Sequence, residues 1–544
     1  MSAPDRSADP RPTISAMLRA SAARWPELPC WVEDGREVSY AAFDAQVDRL
    51  AAGLLAQGVG KGDHVAVWLP NILEWMLVFC ATARIGAVIV PVNTRYKTEE
   101  AAYVLGQSDA RLLVMTSRMW KADYLAMLAE IAPEMAGQRA GELSLAALPK
   151  LRSVLVLDDQ APPGAATLAS AMRDDPQAVR KAEAAVAPSD MLLICYTSGS
   201  TGAPKGVMHD HGVIEQSTRV GLAMHVEAGD RVMAHMPFYH SAGLYMALIT
   251  SLSLGAAIVP LVQWDPRRAL ELIRDHRVTM FGGIPTHYYD LCALPDLDDY
   301  DTSSLKAAWI GGSAVMQETF ERIMHALRLP RLLSTYGMTE NTISTSFNAW
   351  DDPVELCCRN KAPLLSRCEV KIVDPETLAE RPPGEEGEIW CRGETVMIGY
   401  YRNPEATAAT ITPEGWLRSG DLGVLDTEGY LSITGRLKEM MKIGGTNASP
   451  IEIEQRLAAH PAVAASVVVG VPDARMGEVA WAWVQLTAPG AADAAELIAH
   501  CARGLADYKV PRHVEFVNEF PLTATGKVQR NVVARMARDQ ALAG

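Results

Sequence analysis

Tyr196-Thr-Ser-Gly-Ser-Thr-Gly-Ala-Pro-Lys205-Gly206 follows directly on the apolar run Met191-Leu-Leu-Ile-Cys195. The stretch sets four Ser/Thr hydroxyls, three glycines and one lysine in a loop after a buried strand. Phosphate binding needs these residue types. Glycines let backbone N–H groups turn inward without a Cβ clash, hydroxyls donate further hydrogen bonds, and a lysine adds mobile positive charge. It is not a Walker A loop, because Gly206 stands where a Mg²⁺-ligating Ser or Thr belongs and the glycine spacing differs. Val207-Met208-His209 reads as extended, and a helical pattern begins only near Gly212. A small-residue surface loop is the bland alternative, but so many phosphate-binding groups after a buried strand make an unusual coincidence.

Around this loop, short β-branched apolar runs alternate with helical patterns. Strands are expected at His64–Leu69, Ala87–Val92, Leu112–Met115, Met191–Tyr196, Arg231–Met236, Val278–Phe281, Ala308–Ile310 and Leu332–Thr335. Helices are expected at Tyr40–Gln57, Ile72–Ile85, Glu99–Gly106, Arg267–His276 and Gln317–Leu327. Such alternation predicts an α/β fold of mostly parallel sheets covered by helices. Ala161–Ala187, rich in Ala, Pro and Asp, reads as a loose connection. Past Arg392 the texture changes to short strands and turns, a small β-barrel-like subdomain. A small α+β unit then begins near Lys438, with Ser449, Pro450 and Glu452 as a helix start and capping box. The expected domains are 1–437 and 438–544, joined by a hinge.

Composition narrows the function classes. The 544 residues allow two to four domains at ~100–200 residues each. A hydrophobic content of 49% with 21% charge fits a packed globular chain. The net charge of −15 argues against a nucleic-acid partner, though not against an anionic small molecule held in a local basic site. Nine scattered cysteines without a C-x-x-C pair suggest reduced, structural thiols and a cytoplasmic location. The uncharged run Ala242–Val262 is long enough to suggest a membrane span, but Ser251, Ser253, Gly255 and Pro260 interrupt it. A helix over 243–253, a turn at Leu254-Gly255 and a strand at Ala256–Val259 account for it better, so no transmembrane segment is expected. The N-terminus is polar and carries acids, so no secretory signal is expected. Oligomeric state stays open, with a homodimer as one candidate.

Four further segments join the loop. Tyr336-Gly-Met-Thr-Glu340 follows a strand, where ligand sites of α/β proteins form. Ser419-Gly420-Asp421 offers a carboxylate on a tight turn, and Gly435-Arg-Leu-Lys-Glu439 lies at the domain boundary. Pro521-Leu-Thr-Ala-Thr-Gly-Lys527-Val-Gln-Arg530 sets a lysine on a Thr/Gly turn. In this order and spacing the chain resembles the adenylate-forming superfamily of acyl-CoA synthetases, peptide-synthetase adenylation domains and luciferases. Pro91-Val-Asn-Thr-Arg-Tyr96, Pro237-Phe-Tyr-His240 and the run Lys442–Glu454 resemble its bacterial acyl-CoA ligase branch.

The resemblance implies ATP, Mg²⁺ and CoA as cofactors and co-substrate, with a carboxylic acid passing through an acyl-adenylate. It puts Thr197, Ser198, Gly199, Ser200, Thr201, Gly202 and Lys205 on the β- and γ-phosphates. Gly312, Ser313, Ala314, Tyr336, Gly337 and Met338 would surround adenine, with Tyr336 stacked on it. Thr339 would hold the α-phosphate, Glu340 Mg²⁺, and Asp421 and Arg436 the ribose. Lys527, Lys205 and His240 would be the catalytic residues, Lys438 the hinge, and Gly444 and Gly445 the CoA channel. His240, Met246, Pro285, Gly312 and Gly337 would line the acid pocket. Apart from Glu340, the segments 240–246, 284–289, 311–314 and 337–342 hold no Lys, Arg, Asp or Glu. A second substrate charge would therefore lack a partner, which predicts a neutral-tailed fatty or aryl acid. Delivery to a carrier protein is the alternative.

Overall fold

The helix Leu73–Arg84 is apolar on all sides, and the fold explains why: all but Glu74 of its residues are buried, between two sheets. A helix wet on one face would need a polar stripe, and this one has none. The computed structural model describes residues 11–197, 203–311, 315, 317–365, 367–444, 446–473, 475–522 and 528–543.

One eight-stranded sheet carries the strand Met191–Thr197. Its order is Gly399–Tyr400, Lys205–Asp210, Met191–Thr197, Val88–Pro91, His64–Trp68, Ala110–Met115, Ser153–Val156 and Ala166–Thr167. The second runs Ser346–Phe347, Leu332–Tyr336, Ala307–Gly311, Met280–Gly283, Arg231–Ala234, Ala257–Pro260, Pro29–Glu33 and Arg36–Ser39. Apart from the antiparallel pair of Met191–Thr197 with Lys205–Asp210, the inner ladders are parallel, as the buried β-branched runs predict. Tyr40–Ala56 and Leu73–Arg84 contribute to one hydrophobic core with residues of both sheets. Arg84 is fully buried there. Its guanidinium meets Asp44 at 2.5 Å and Asp48 at 2.8 Å, and donates to Ser15 Oγ at 2.9 Å. A buried cation persists only with such partners.

Three expectations need correction. The stretch read as a loose connection contains a helix, Pro176–Glu183, capped by Asp175 and opened by a proline. Its Glu183 joins the Arg19 ion pair at 3.1 Å, which anchors the helix. The antiparallel region begins before Arg392, with Lys361–Pro363 and Cys368–Val373. It forms an open five-stranded sheet whose edges, Lys361–Pro363 and Cys368–Val373, do not pair with each other among the described residues. The capping box at Ser449 does not form. Its hydroxyl donates instead to Thr434 O at 2.9 Å, and Glu452 accepts from Lys509 at 2.7 Å.

The C-terminal unit is the expected α+β arrangement. The antiparallel pair Val463–Asp473 and Gly477–Leu486 is extended by Met441–Ile443 and, in parallel, by His513–Phe516. Helices Pro450–Ala458 and Ala494–Ala502 cover one face through Ile453, Leu457 and Leu497. Arg530–Ala543 packs Val533 and Ala537 against the other.

Candidate functional site

The strand Met191–Thr197 and its antiparallel partner Lys205–Asp210 put Thr197 opposite Lys205, so both flank the loop expected to bind phosphate. Ser198, Gly199, Ser200, Thr201 and Gly202 lie outside the described residues, as do Gly312, Ser313, Ala314, Gly445 and Lys527. Tyr103 donates to Pro204 O at 3.2 Å and ties the loop's end to the helix Thr98–Gln107.

From Lys205 a chain of contacts runs across the site. The Lys205 ammonium stands 4.9 Å from the Tyr400 ring centroid. The Tyr400 hydroxyl donates to Glu340 Oε1 at 2.9 Å. Burial raises the Glu340 carboxyl above its ordinary range, while the Tyr400 bond and the Lys205 charge oppose that shift. A half-buried carboxylate linked to Lys205 through Tyr400 is an oxygen donor of the kind Mg²⁺ takes, so the residue fits the metal.

Thr339 is fixed from two sides. Its Oγ1 lies 3.1 Å from Ser241 Oγ, and its carbonyl 2.7 Å from His209 Nε2. Burial depresses the His209 pKa to about 4, so the ring is neutral and Nε2–H donates to the carbonyl. His240 caps the short helix Ser241–Gly243 from the preceding position, its Nδ1 accepting from Ala242 N at 3.5 Å.

Tyr336 ends its strand with a buried ring, and its hydroxyl donates to Asp421 Oδ2 at 2.8 Å. The other carboxylate oxygen meets Arg436 Nε at 3.0 Å, because Asp421 and Arg436 are cross-strand partners. Asp421 is 5% exposed, whereas the Arg436 side chain is 61% exposed. The turn that aims Asp421 has Gly420 at φ +71, with Gly420 N donating to Glu388 Oε1 at 3.0 Å. A Cβ on Gly337 would lie 1.6 Å from Ile343 O. Close backbone approach therefore requires that glycine, independently of any space for an acid.

Behind Ser241 a narrow slot opens between the second sheet and the helical run 241–254. Met224, Met233, Met236, Met246, Met280 and Trp309 line it. About 10 Å³ of free space is left between them, room for about one water. Leu244–Ile249, inside the run, follow a π-helical path that the sequence pattern did not reveal. Of the expected acid-pocket residues, Met246 lines the slot, whereas His240, Pro285 and Gly337 do not. Pro285 opens the helix Pro285–Cys292.

Lys438 sits on the turn Leu437–Glu439, exposed, between the antiparallel sheet and the C-terminal unit. Beside it, Arg530 reaches Glu439 at 3.4 Å and Glu454 at 2.5 Å. Gly444, at φ +59, donates to Met476 O at 2.7 Å. Sequence reading missed Tyr400, Ser241 and His209. Tyr400 sits on a two-residue strand, too short to carry a pattern.

Comparison with known proteins matches residues 18–401 to the AMP-binding enzyme family and residues 452–527 to the AMP-binding enzyme C-terminal domain. The putative acyl-CoA synthetase YngI of Bacillus subtilis (strain 168) is 36% identical over 95% of this chain and 96% of its own length. The mitochondrial medium-chain acyl-CoA ligase ACSF2 of Danio rerio is 32% identical over 97% of this chain and 89% of its own. The anthranilate CoA ligase AuaEII, solved in complex with anthranoyl-AMP, superposes with a TM-score of 0.84 at 26% identity, covering 98% of each chain.

Proposed function

The chain belongs to the AMP-binding enzyme family and is an ATP-dependent, AMP-forming acid–CoA ligase, and from that premise we propose how its own residues divide the work and which acids it takes. Its small-molecule partners are a carboxylic acid, ATP and CoA, with Mg²⁺. Among the described residues no helix is long and apolar enough to cross a membrane. The reading includes a cytoplasmic location, which nine unpaired cysteines support.

In the first half-reaction the acid's carboxylate attacks the α-phosphorus in line and pyrophosphate leaves. The protein's part is alignment and charge neutralisation. Asp421 accepts from the ribose hydroxyls, held by Tyr336 on one oxygen and by Arg436 on the other. Thr339 donates to the α-phosphate from a backbone pinned by His209. Lys205 and the phosphate loop meet the departing phosphates, and Lys527 meets the carboxylate and the forming bond. Glu340 would hold Mg²⁺, whose positive charge neutralises phosphate oxygens when bound. In the second half-reaction the CoA thiol attacks the acyl carbon and AMP leaves. The unit from 438 onward turns about Lys438 between the two, exchanging Lys527 for the Gly444-Gly445 segment.

The acid is a neutral-tailed monocarboxylate. The apolar slot behind Ser241 carries this reading, since a buried second charge would have no counter-ion there. The acids for which the relatives are named agree: a medium-chain acyl group, and anthranilate. A pyrophosphate-release screen tests it, with linear, branched and aromatic monoacids set against diacids and amino acids. Turnover confined to monoacids is expected. A preference for diacids would refute the assignment of the slot.

A further inference from the structure

Two residues of the slot's lining flank a turn of unusual construction. Ser241, bonded to Thr339, marks the end nearest the proposed α-phosphate site. From there Ala242, Met246 and Thr250 follow one another at helical spacing along the slot wall. The Thr250 hydroxyl is occupied by the carbonyls of Ser217 and Tyr245, both at 2.9 Å, so it offers the slot no polar group. Met224 and Val226, the two neighbours of His225, also line the slot, and a Cβ on Gly221, just before them, would lie 2.6 Å from Thr250 Cγ2, so the turn follows Thr250.

His225 closes the helix Val213–Ala223 in a position that favours glycine. Its φ is +55, and Val226 N returns to Gly221 O at 2.9 Å, as at a left-handed helix end. A Cβ in that region costs on the order of 1 kcal/mol. What holds it is a stack: the imidazole lies on the Trp350 indole with centroids 4.1 Å apart and planes 8° from parallel. The stack is on the outside. His225 is exposed, while its neighbours Met224 and Val226 are turned inward.

Resting on the reading of this slot as the acid site, we propose that the Met224–Val226 turn, locked by the His225–Trp350 stack, is the floor of an acyl-chain gauge. Eight residues separate Ala242 from Thr250, so the slot is about 12 Å long at helical rise, slightly less over the π turn. An extended chain of about eight to ten carbons fills that length at ordinary C–C geometry. The acid must displace methionine side chains, since so little space is free. Their unbranched, polarisable stems can swing aside and re-pack against the chain. The gauge therefore tolerates variation in tail shape and limits tail length. Longer acids meet the turn at Met224 and Val226, whose backbone cannot retreat while the stack holds it.

The test measures kcat/KM for CoA-dependent pyrophosphate release over even saturated acids from about four to sixteen carbons, in the wild type, Met224→Ala and Trp350→Ala. The wild type should peak near eight to ten carbons and fall about tenfold or more for each step beyond. Met224→Ala should raise the twelve-to-eight-carbon ratio at least tenfold, and Trp350→Ala should broaden the upper limit. Trp350→Phe, which keeps a ring against His225, should restore the wild-type ratio. Val226→Ala lengthens the same floor and serves if Met224→Ala does not fold. An unchanged ratio in folded Met224→Ala and Val226→Ala overturns the gauge and leaves the ligase reading intact. A wild type that activates none of the straight-chain acids overturns the slot's assignment itself.

Discussion

Tyr336→Phe removes one oxygen and keeps the ring, so no cavity opens in the core around it. The lost bond is the 2.8 Å donation to Asp421 Oδ2. Asp421 is almost wholly buried, and its remaining cationic partner, Arg436, is mostly exposed. A hydrogen bond to a charged group contributes about 1.5–3 kcal/mol. Arg436 and the ribose hydroxyls themselves recover part of this, so the lower end of the range applies to the complex. At 1.4 kcal/mol per factor of ten, AMP should bind about tenfold more weakly. Replacing Arg436 by Ala should cost the free protein on the order of 1 kcal/mol, because the guanidinium is largely exposed and Asp421 keeps its bond from Tyr336. The assay is calorimetric titration of AMP into both variants, alongside thermal unfolding without ligand. If Tyr336→Phe unfolds at a lower temperature yet binds AMP as the wild type does, the Tyr336–Asp421 bond is structural and the ribose site lies elsewhere.

Glu340→Gln should raise the Mg²⁺ concentration for half-maximal acyl-AMP formation by at least tenfold while Tyr400 keeps an acceptor; an unmoved Mg²⁺ curve would free Glu340 of the metal role. The His209 pKa of about 4 lies below the ordinary imidazole value, so between the two the unfolded chain binds a proton that the native one excludes. Stability is therefore lost as pH falls from about 6.5 toward 4, by about 3 kcal/mol at the limit. His209→Gln, which keeps a donor for the Thr339 carbonyl, should flatten that part of a pH–unfolding curve, and an equally steep curve would show that other groups carry the loss. Lys527→Ala should cripple acyl-AMP formation and spare thioester formation from supplied acyl-AMP, whereas Lys438→Pro should do the reverse by fixing φ at the hinge. Equal losses in both half-reactions, for either variant, would contradict the domain exchange.

Legibility in the sequence followed the strength of local signals. Strands such as His64–Trp68 and Leu332–Tyr336 were plain because burial on both faces writes an unbroken apolar run. The helix Pro176–Glu183 was missed because it is short and buries only Val179, leaving little periodicity to read. The Ser449 capping box failed for a tertiary reason: Thr434 O competes for the hydroxyl and Lys509 for the Glu452 carboxylate. In the site, Lys205, Glu340 and Asp421 stood out through chemistry-bearing motifs. Ser241 and His209 did not, since what they do is bond Thr339 from about 98 and 130 residues away, and spacing along the chain carries no trace of that. Gly337 was legible as a glycine but not for its reason, the approach of Ile343. The slot's far end was illegible for the same cause, because His225 and Trp350 meet only in the fold.

The most direct test of the account follows the carboxylate oxygen. An acid labelled with oxygen-18 in both carboxylate positions is turned over with ATP and CoA, and the products are weighed by mass spectrometry. Attack on the α-phosphorus, then release of AMP by the thiol, carries one labelled oxygen into AMP and leaves one in the thioester. One oxygen-18 per AMP, with none in pyrophosphate, is the predicted result. Label in orthophosphate or pyrophosphate, or unlabelled AMP beside a labelled thioester, would contradict activation through an acyl-adenylate.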